Sequence, residues 1–296
     1  FCYVNNHIES SGISVLFGGA PPWIQDLIPA DIEIRRCHFF KPFTWKSDHP
    51  SYAGRFWQVK NAGPEFKNGQ RALIDGCVIE GAWYGFQQGQ AITTSPRNES
   101  NQTPKHATWC NVANVTYQRC IIKSCAAVFS SKGTDTEALS GRSFNIVIRH
   151  NVCYDIGGVT YRPAGAGAAA NSVIKSNILS AGPINNLVFD HNTIISDSGI
   201  YFFFESAGGN TQHHFTNNIW QHGAPDPSTN QAGGLGGRIR AFPARAFSMA
   251  TASSITSARR GITTCAMARL DPFLIAPPTR SMTASSSSRT PRCSEA

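Results

Sequence analysis

The chain has 296 residues, 41% of them hydrophobic, and a formal net charge of +8, so it is long enough to bury a large core. Residues 231–296 carry nine Arg against two acidic residues, whereas residues 1–230 carry 17 basic and 16 acidic side chains. The larger part is therefore nearly neutral and lacks the basic surface of a nucleic-acid-binding protein, and no segment is apolar enough to span a membrane as a helix.

One short phrase recurs along the chain: alternating apolar and polar residues, then an Asn or Cys, then a second apolar pair. Alternation with a period of two residues predicts strands. The copies are 26 to 43 residues apart, which indicates stacked coils whose strands are fixed while the loops vary. The sequence therefore predicts an all-β fold, a right-handed parallel β-helix (solenoid) of about seven coils. We take the Asn or Cys of each copy as a register mark, and the marks are Asn6, Cys37, Cys77, Cys120, Asn151, Asn192 and Asn218.

These marks predict a ladder inside the stack. Equivalent positions of paired strands lie roughly 4.8 Å apart, so an inward-facing Asn can pass its amide hydrogen bonds from coil to coil. Cys at the same positions is expected as a small buried hydrophobe, and the nine Cys are interpreted as buried thiols rather than a disulfide framework. A further phrase ends at Asn177, too close to Asn192 for a whole coil, and does not belong to this register. The His residues near the marks are expected in exposed turns with structural roles; they are His38, His150, His191, His213 and His214.

The two ends of the chain differ from the repeats. The phrase stops after Trp220, and residues 231–296 contain no Lys, Asn or Tyr. We predict a β-helix over 1–230 and a poorly structured, low-complexity Arg/Ser/Ala tail over 231–296, either disordered or frame-shifted, with a genuine linker as the alternative. Phe1 lies inside a copy of the phrase, so we expect an N-terminal truncation, and the lack of a signal peptide carries no information.

Residues 5–220 resemble the right-handed parallel β-helix proteins of the pectate-lyase-like superfamily, and more narrowly its uncharacterised bacterial secreted members. The resemblance covers about three quarters of the chain and is carried by residues 17–20, 30–36, 39–42, 57–61 and 65–71. It implies an extracellular or periplasmic protein that acts on or binds a polysaccharide. It implies no defined activity, because one fold hosts many functions.

Polysaccharide enzymes of this superfamily bind substrate in a groove along one outer sheet, bordered by long loops. A lyase needs a base, usually Lys or Arg, and a hydrolase needs paired carboxylates. We look for either set in the two long intervals between marks 37, 77 and 120, because these intervals supply the long loops. Trp57 is expected to stack on a sugar, and Arg97 to bind a carboxylate. The predicted catalytic residues are Lys60, Glu65, Lys67 and Arg97, and the predicted substrate-binding residues are Trp57, Asn61, Arg71 and Asn98. The alternatives are a solvated strand face for the first cluster and a structural salt bridge for Arg97.

The remaining carboxylates do not predict a metal site. Asp75 and Asp190 both lie two residues before a mark, in a column that also holds Arg35 and Arg149, which is typical of surface pairing between coils. No column holds three carboxylates, so no calcium site is predicted, and the cofactor is unknown. The sequence thus favours a polysaccharide-active protein, lyase- or glycoside-hydrolase-like; the alternative is a non-catalytic carbohydrate-binding or surface-structural β-helix. Whether the chain is an enzyme, and its oligomeric state, stay open.

Overall fold

The computed structural model describes a large part of the chain. The described residues are 1–52, 54, 60–98, 107–135, 138–157, 161–162, 172–177, 184–196, 200–205, 211–221, 247–249 and 253–255. For 172–177, 200–205, 211, 221, 247–249 and 253–255, the description concerns the backbone.

The regular elements bounded within these residues are strands, apart from one 3₁₀ helix over Phe43–Trp45. In chain order the strands are β1 (Cys2–Val4), β2 (His7–Glu9), β3 (Val15–Phe17), β4 (Ala30–Arg35), β5 (His38–Phe40), β6 (Pro64–Phe66), β7 (Gly69–Asp75), β8 (Val78–Ala82), β9 (Gln90–Thr94), β10 (Val112–Gln118), β11 (Ile121–Cys125), β12 (Ala127–Lys132), β13 (Phe144–Arg149), β14 (Val152–Ile156), β15 (Ser172–Asn177), β16 (Asn185–Asp190), β17 (Thr193–Ser196), β18 (Ile200–Glu205), β19 (Thr211–Thr216), β20 (Ile219–Gln221), β21 (Phe247–Met249) and β22 (Ser253–Ile255).

The strands form three parallel sheets. The first contains, in order, β1, β4, β7, β10, β13, β16, β19 and β21; the second contains β2, β5, β8, β11, β14, β17, β20 and β22; and the third contains β3, β6, β9, β12, β15 and β18. From β1 to β20 the chain visits the sheets in turn and pairs strands that are three places apart, so the topology is consistent with a parallel β-solenoid. The phrase that ends at Asn177 forms β15 of the third sheet, which confirms that it does not belong to the register of the marks.

The main hydrophobic core is a large cluster of buried side chains inside the three sheets, and a smaller cluster consists of Trp83, Ala126 and Tyr161. Alternate residues of each strand point inward, so equivalent apolar positions stack from coil to coil. In the first sheet the register aligns one such inward column, which consists of Ile34, Ile74, Tyr117, Ile148, Phe189 and Phe215.

The predicted Asn ladder is confirmed. The side-chain oxygen of Asn218 accepts hydrogen bonds from the backbone N–H and the side-chain amide of Asn192, at 2.8 and 2.9 Å. The oxygen of Asn192 does the same for Asn151, at 3.1 and 3.0 Å, and Asn151 in turn accepts from the Cys120 N–H at 2.8 Å. Each amide is thereby satisfied without water, as a buried polar group requires.

The residue before each mark adopts a left-handed backbone conformation. This conformation costs a residue other than Gly roughly 1–2 kcal/mol, yet it recurs, because the N–H of the residue then reaches the next coil, as from His150 to the Asp190 carbonyl at 3.0 Å. The residues and their φ angles are Asn5 (58°), Arg36 (50°), Gly76 (64°), Arg119 (53°), His150 (55°), His191 (52°) and Asn217 (54°).

Six of the nine Cys are buried free thiols, as predicted: Cys37, Cys77, Cys110, Cys120, Cys125 and Cys153. The interpretation was wrong for Cys2, which is exposed and disulfide-bonded. Cys265 and Cys293 lie outside the described residues. The expectation for His213 was wrong. It is 1% exposed and occupies an inward position of β19, aligned with Leu187, because the alternation of the strand places it on the core face.

Two strands, β21 and β22, lie within the segment predicted as a tail and pair with β19 and β20. Residues 222–246 and 256–296 lie outside the described residues, so the division at 230 stays a prediction. Among the described residues, no helix has the length and apolarity needed to span a membrane.

Candidate functional site

The candidate site lies on the outer face of the third sheet. Glu65 of β6, Thr93 of β9 and Ser130 of β12 are aligned in the register. Their neighbours Phe66, Ile92 and Phe129 point into the core. Since successive side chains of a strand alternate between faces, the polar residues form an outward column.

An open cavity of about 210 Å³ lies on this column. Ligand pockets for drug-sized molecules are roughly 300–1,000 Å³, so the cavity suits a single small unit of a ligand. Its lining is polar, with amides, hydroxyls and one carboxylate. The lining residues are Asn61, Glu65, Gln87, Gln88, Gln90, Thr93 and Ser130.

Glu65 is the one carboxylate in this lining, and its side chain is 5% exposed. The Asn61 amide donates a hydrogen bond to its Oε2 at 2.6 Å, and the Lys67 ammonium lies 3.9 Å from its Oε1. Burial raises the pKa of the Glu65 carboxyl above its ordinary value, although Lys67, the Asn61 hydrogen bond and Lys60 oppose this rise. A buried carboxyl group with a shifted pKa in a surface cavity is a candidate functional group.

The loop between β8 and β9 forms one wall of the cavity. It folds back on itself through an antiparallel bridge between Tyr84 and Gln88, and it carries Phe86, which is 53% exposed. The Lys60 ammonium lies over the Phe86 ring, 5.3 Å from its centroid. An exposed aromatic face beside polar groups is an arrangement that can stack on the apolar face of a sugar ring.

Gly89 fixes the end of this loop. Its φ of 73° favours glycine, and a Cβ atom there would lie 2.7 Å from both the Ala126 Cβ and the Trp83 carbonyl carbon. Within the loop, the Gln90 amide donates to the Gln88 side-chain oxygen at 2.9 Å. The buried Gln87 side-chain oxygen has no hydrogen-bond partner among the described residues.

The structure brings together four of the predicted site residues. Asn61 and Glu65 line the cavity, Lys67 lies beside Glu65, and Lys60 packs on the bordering loop. Trp57 lies outside the described residues. The assignment of catalytic and binding roles to these residues stays a prediction.

Three other predicted residues have different partners. Arg71 lies on β7 of the first sheet and donates to both carboxylate oxygens of Asp31, at 2.8 and 2.9 Å. The Arg97 guanidinium lies 3.9 Å from Asp135. Asn98 is fully buried, and its amide donates to the carbonyl oxygens of Ala107 and Leu139 at 3.3 and 3.1 Å. These contacts give Asn98 a structural role in the loop packing.

The sequence analysis assigned no site role to six residues of this region, namely Phe86, Gln87, Gln88, Gln90, Thr93 and Ser130. Thr93 and Ser130 alternate with core-facing residues, so their outward orientation is visible in the sequence once their strands are assigned. The strands of the third sheet carry no register mark, however, so the sequence does not show that Thr93 and Ser130 are aligned with Glu65.

Two further carboxylates contact basic side chains of other coils. Asp75 accepts from Arg35 at 2.8 Å and from Arg119 at 2.7 Å, as predicted for pairing between coils, but Asp75 is buried rather than at the surface. Glu80 lies 3.0 Å from the His38 ring and 3.1 Å from the Lys123 ammonium. Because Glu65 is the one carboxylate of the cavity lining, this lining lacks the carboxylate pair of a typical glycoside hydrolase.

A scan of the chain against protein-family models found no match, and searches of curated proteins and of solved structures likewise found none. The resemblance to the pectate-lyase-like superfamily therefore rests on the sequence stretches that carry it, with the parallel sheets compatible with it.

Proposed function

We propose that this chain is a secreted, right-handed parallel β-helix of the pectate-lyase-like type that binds a polysaccharide on the outer face of its third sheet. The observation that carries the proposal is the cavity around Glu65, where one carboxylate, four side-chain amides and two hydroxyls converge beside an exposed Phe ring. Amides and carboxylates can form hydrogen bonds with the hydroxyl groups of a sugar, and the Phe86 ring offers a stacking surface.

In this proposal one sugar unit enters the cavity and its neighbours lie along the sheet. Parallel strands repeat at about 4.8 Å, so the face is long and shallow. Lys60 and Lys67 flank the cavity and are half-buried, and they supply positive charge that favours an acidic sugar over a neutral one.

Turnover is the second candidate function, and the raised pKa of Glu65 favours it. A carboxyl group with a raised pKa can act as a general acid, and the ammonium of Lys67 lies 3.9 Å from this carboxylate. If the chain only binds its glycan, by contrast, Glu65 accepts hydrogen bonds from sugar hydroxyls and no glycosidic bond is cleaved.

The test is a panel of acidic and neutral polysaccharides, assayed for both retention and release of new chain ends. We expect at least one glycan to be retained, and Phe86→Ala and Glu65→Gln each to weaken its binding about tenfold, as loss of a stacking or hydrogen-bonding contact does. Arg71→Asn is the matched control, because Arg71 lies on the first sheet and Asn114 occupies the equivalent position one strand on. Retention of no glycan, or equal binding by all variants, would overturn the proposal.

Turnover is distinguished in the same panel. New chain ends that appear with the wild type and disappear with Glu65→Gln, while binding by that variant is still measurable, would establish catalysis. Binding without new chain ends on every glycan would leave the binding function alone.

A further inference from the structure

A second polar cluster lies at the corner between the first and second sheets, away from the third sheet. His150 and His191 occupy equivalent positions in consecutive coils, each directly before a ladder Asn and each in the left-handed conformation. The stacking of the coils places their rings 5.0 Å apart, centroid to centroid, with 32° between the planes. Both side chains are exposed.

Asp190 completes this cluster. It is half-buried, and its Oδ2 lies 2.8 Å from the Nδ1 atom of His191. Its Oδ1 accepts hydrogen bonds from the Thr216 hydroxyl at 2.5 Å and from the Asn217 amide at 3.0 Å. These bonds come from the following coil and hold the carboxylate in place, as supporting residues do around a metal ligand.

The neighbouring cations are directed elsewhere. The Arg149 guanidinium donates to the Gln118 side-chain oxygen at 3.0 and 2.8 Å. Arg119, which precedes the previous mark, pairs with Asp75. The negative charge of Asp190, by contrast, lies within 4.8 Å of a ring nitrogen of each imidazole.

We propose that His150, His191 and Asp190 form a binding site for a divalent transition-metal ion of the Zn²⁺ class. Two imidazoles and a carboxylate are a ligand set that Zn²⁺ and similar ions accept. One ligand atom from each residue lies within 4.8 Å of the other two. A tetrahedral ion with bonds of about 2.1 Å sets its ligands roughly 3.4 Å apart, so rotation of the exposed rings closes the remaining distance.

The ion would connect two coils, because His150 follows β13, whereas Asp190 is the last residue of β16 and His191 follows it. Three protein ligands leave the remaining coordination positions to water or to an external ligand. The sequence alone gave these His residues a structural role in exposed turns. Their convergence on Asp190 depends on the register of two coils that are 41 residues apart, which no local motif displays.

The experiment is a titration of the full-length, tag-free protein with ZnCl₂, followed by calorimetry and by equilibrium dialysis. We expect one Zn²⁺ per chain, and at least a tenfold loss of affinity in His150→Asn, in His191→Asn and in the double variant. Asn is the chosen replacement because Asn217 holds the same left-handed position one coil on, so the variants keep the backbone geometry.

The double variant His7→Asn/His38→Asn is the matched control, because these two rings also belong to consecutive coils and contact each other edge to face, with their centroids 4.9 Å apart. This control should bind Zn²⁺ as the wild type does. Circular dichroism of each variant establishes that the fold is kept, and Asp190→Asn gives an independent readout with both imidazoles in place. The proposal is overturned by absence of stoichiometric binding in the wild type, or by equal binding in the His150/His191 and His7/His38 double variants.

Discussion

The corner between the first and second sheets and the outer face of the third sheet belong to the same coils, yet they are built in different ways. At the corner, each coil repeats a left-handed residue and then an Asn or Cys, and the ladder Asn of one coil binds the backbone of the coil before it. On the third sheet, the aligned residues Glu65, Thr93 and Ser130 share no residue type.

The difference follows from what each region has to satisfy. A buried corner leaves backbone N–H groups without water, so each coil supplies an acceptor for them, an Asn oxygen for Cys120 and a Cys sulfur for Cys37. In a sheet, the backbone N–H and C=O groups already pair with those of neighbouring strands, so the side chains on its outer face are free to vary. Uniform positions therefore build the scaffold, and the non-uniform face provides the candidate site.

The largest effect is expected at the centre of the ladder. Asn192→Ala removes the acceptor for the backbone N–H and the side-chain amide of Asn151, and each buried donor left unpaired costs roughly 1–3 kcal/mol. We expect a loss of about 3 kcal/mol in the free energy of unfolding, measured by denaturant titration. Asn186→Gly is the control, because Asn186 belongs to a less buried row, where its amide donates to Asn145 at 2.7 Å. A similar loss in both variants would show that the ladder is no more important than this outer row.

His213 is the one polar member described in its inward column, and it should make stability depend on pH. Burial lowers the pKa of His213 from 6.5 to about 4. Because the folded pKa is depressed, its contribution to stability is complete above pH 6.5 and is lost as the pH falls towards 4. The loss at pH 4 is on the order of 3 kcal/mol, since one pKa unit corresponds to about 1.4 kcal/mol.

Denaturant titrations between pH 7 and pH 4 test this prediction. His213→Leu should lose less stability than the wild type between pH 7 and pH 4. His214→Leu, which changes a half-buried neighbour on the same strand, should show the same dependence of stability on pH as the wild type. An unchanged slope in His213→Leu would place the acid sensitivity in other groups.

Glu65 should show the opposite dependence on pH. Burial raises its pKa above the ordinary value of 4.5, so its contribution to stability is complete below pH 4.5 and is lost as the pH rises through the raised pKa. We therefore expect Glu65→Gln to be about 1 kcal/mol more stable than the wild type at pH 8, with the difference vanishing near pH 4.5. Glu33→Gln, on the first sheet and paired with Arg35 at 3.0 Å, serves as the control. A stability gain that is the same at both pH values would mean that ionisation of Glu65 is not its cause.

The corner could be predicted from the sequence, and most of the site could not. The marks from Asn151 to Asn218 predicted the ladder because their role depends on a local pattern that every coil repeats. The cluster of Asn61, Glu65 and Lys67 was found because it lies within seven residues. This cluster meets Gln90, Thr93 and Ser130 only through the register of the third sheet. That register is set by loop lengths and core packing rather than by a repeated residue. His213 was misjudged because a polar residue in an apolar column is indistinguishable, in one sequence, from a residue at a turn.

The smallest effect is expected at Arg71, which tests whether an exposed position on the first sheet is neutral for both stability and binding. Its ion pair with Asp31 is well formed, and the hydrogen bond from Arg71 lowers the pKa of the Asp31 carboxyl, but exposed ion pairs stabilise little. Arg71→Asn keeps a residue that tolerates the left-handed conformation found there, so thermal unfolding and glycan binding should match those of the wild type. Because Arg71 lies only six residues from Glu65 in the sequence but on a different sheet, weaker glycan binding by this variant would extend the binding surface around the edge of the coil and contradict its confinement to the third sheet.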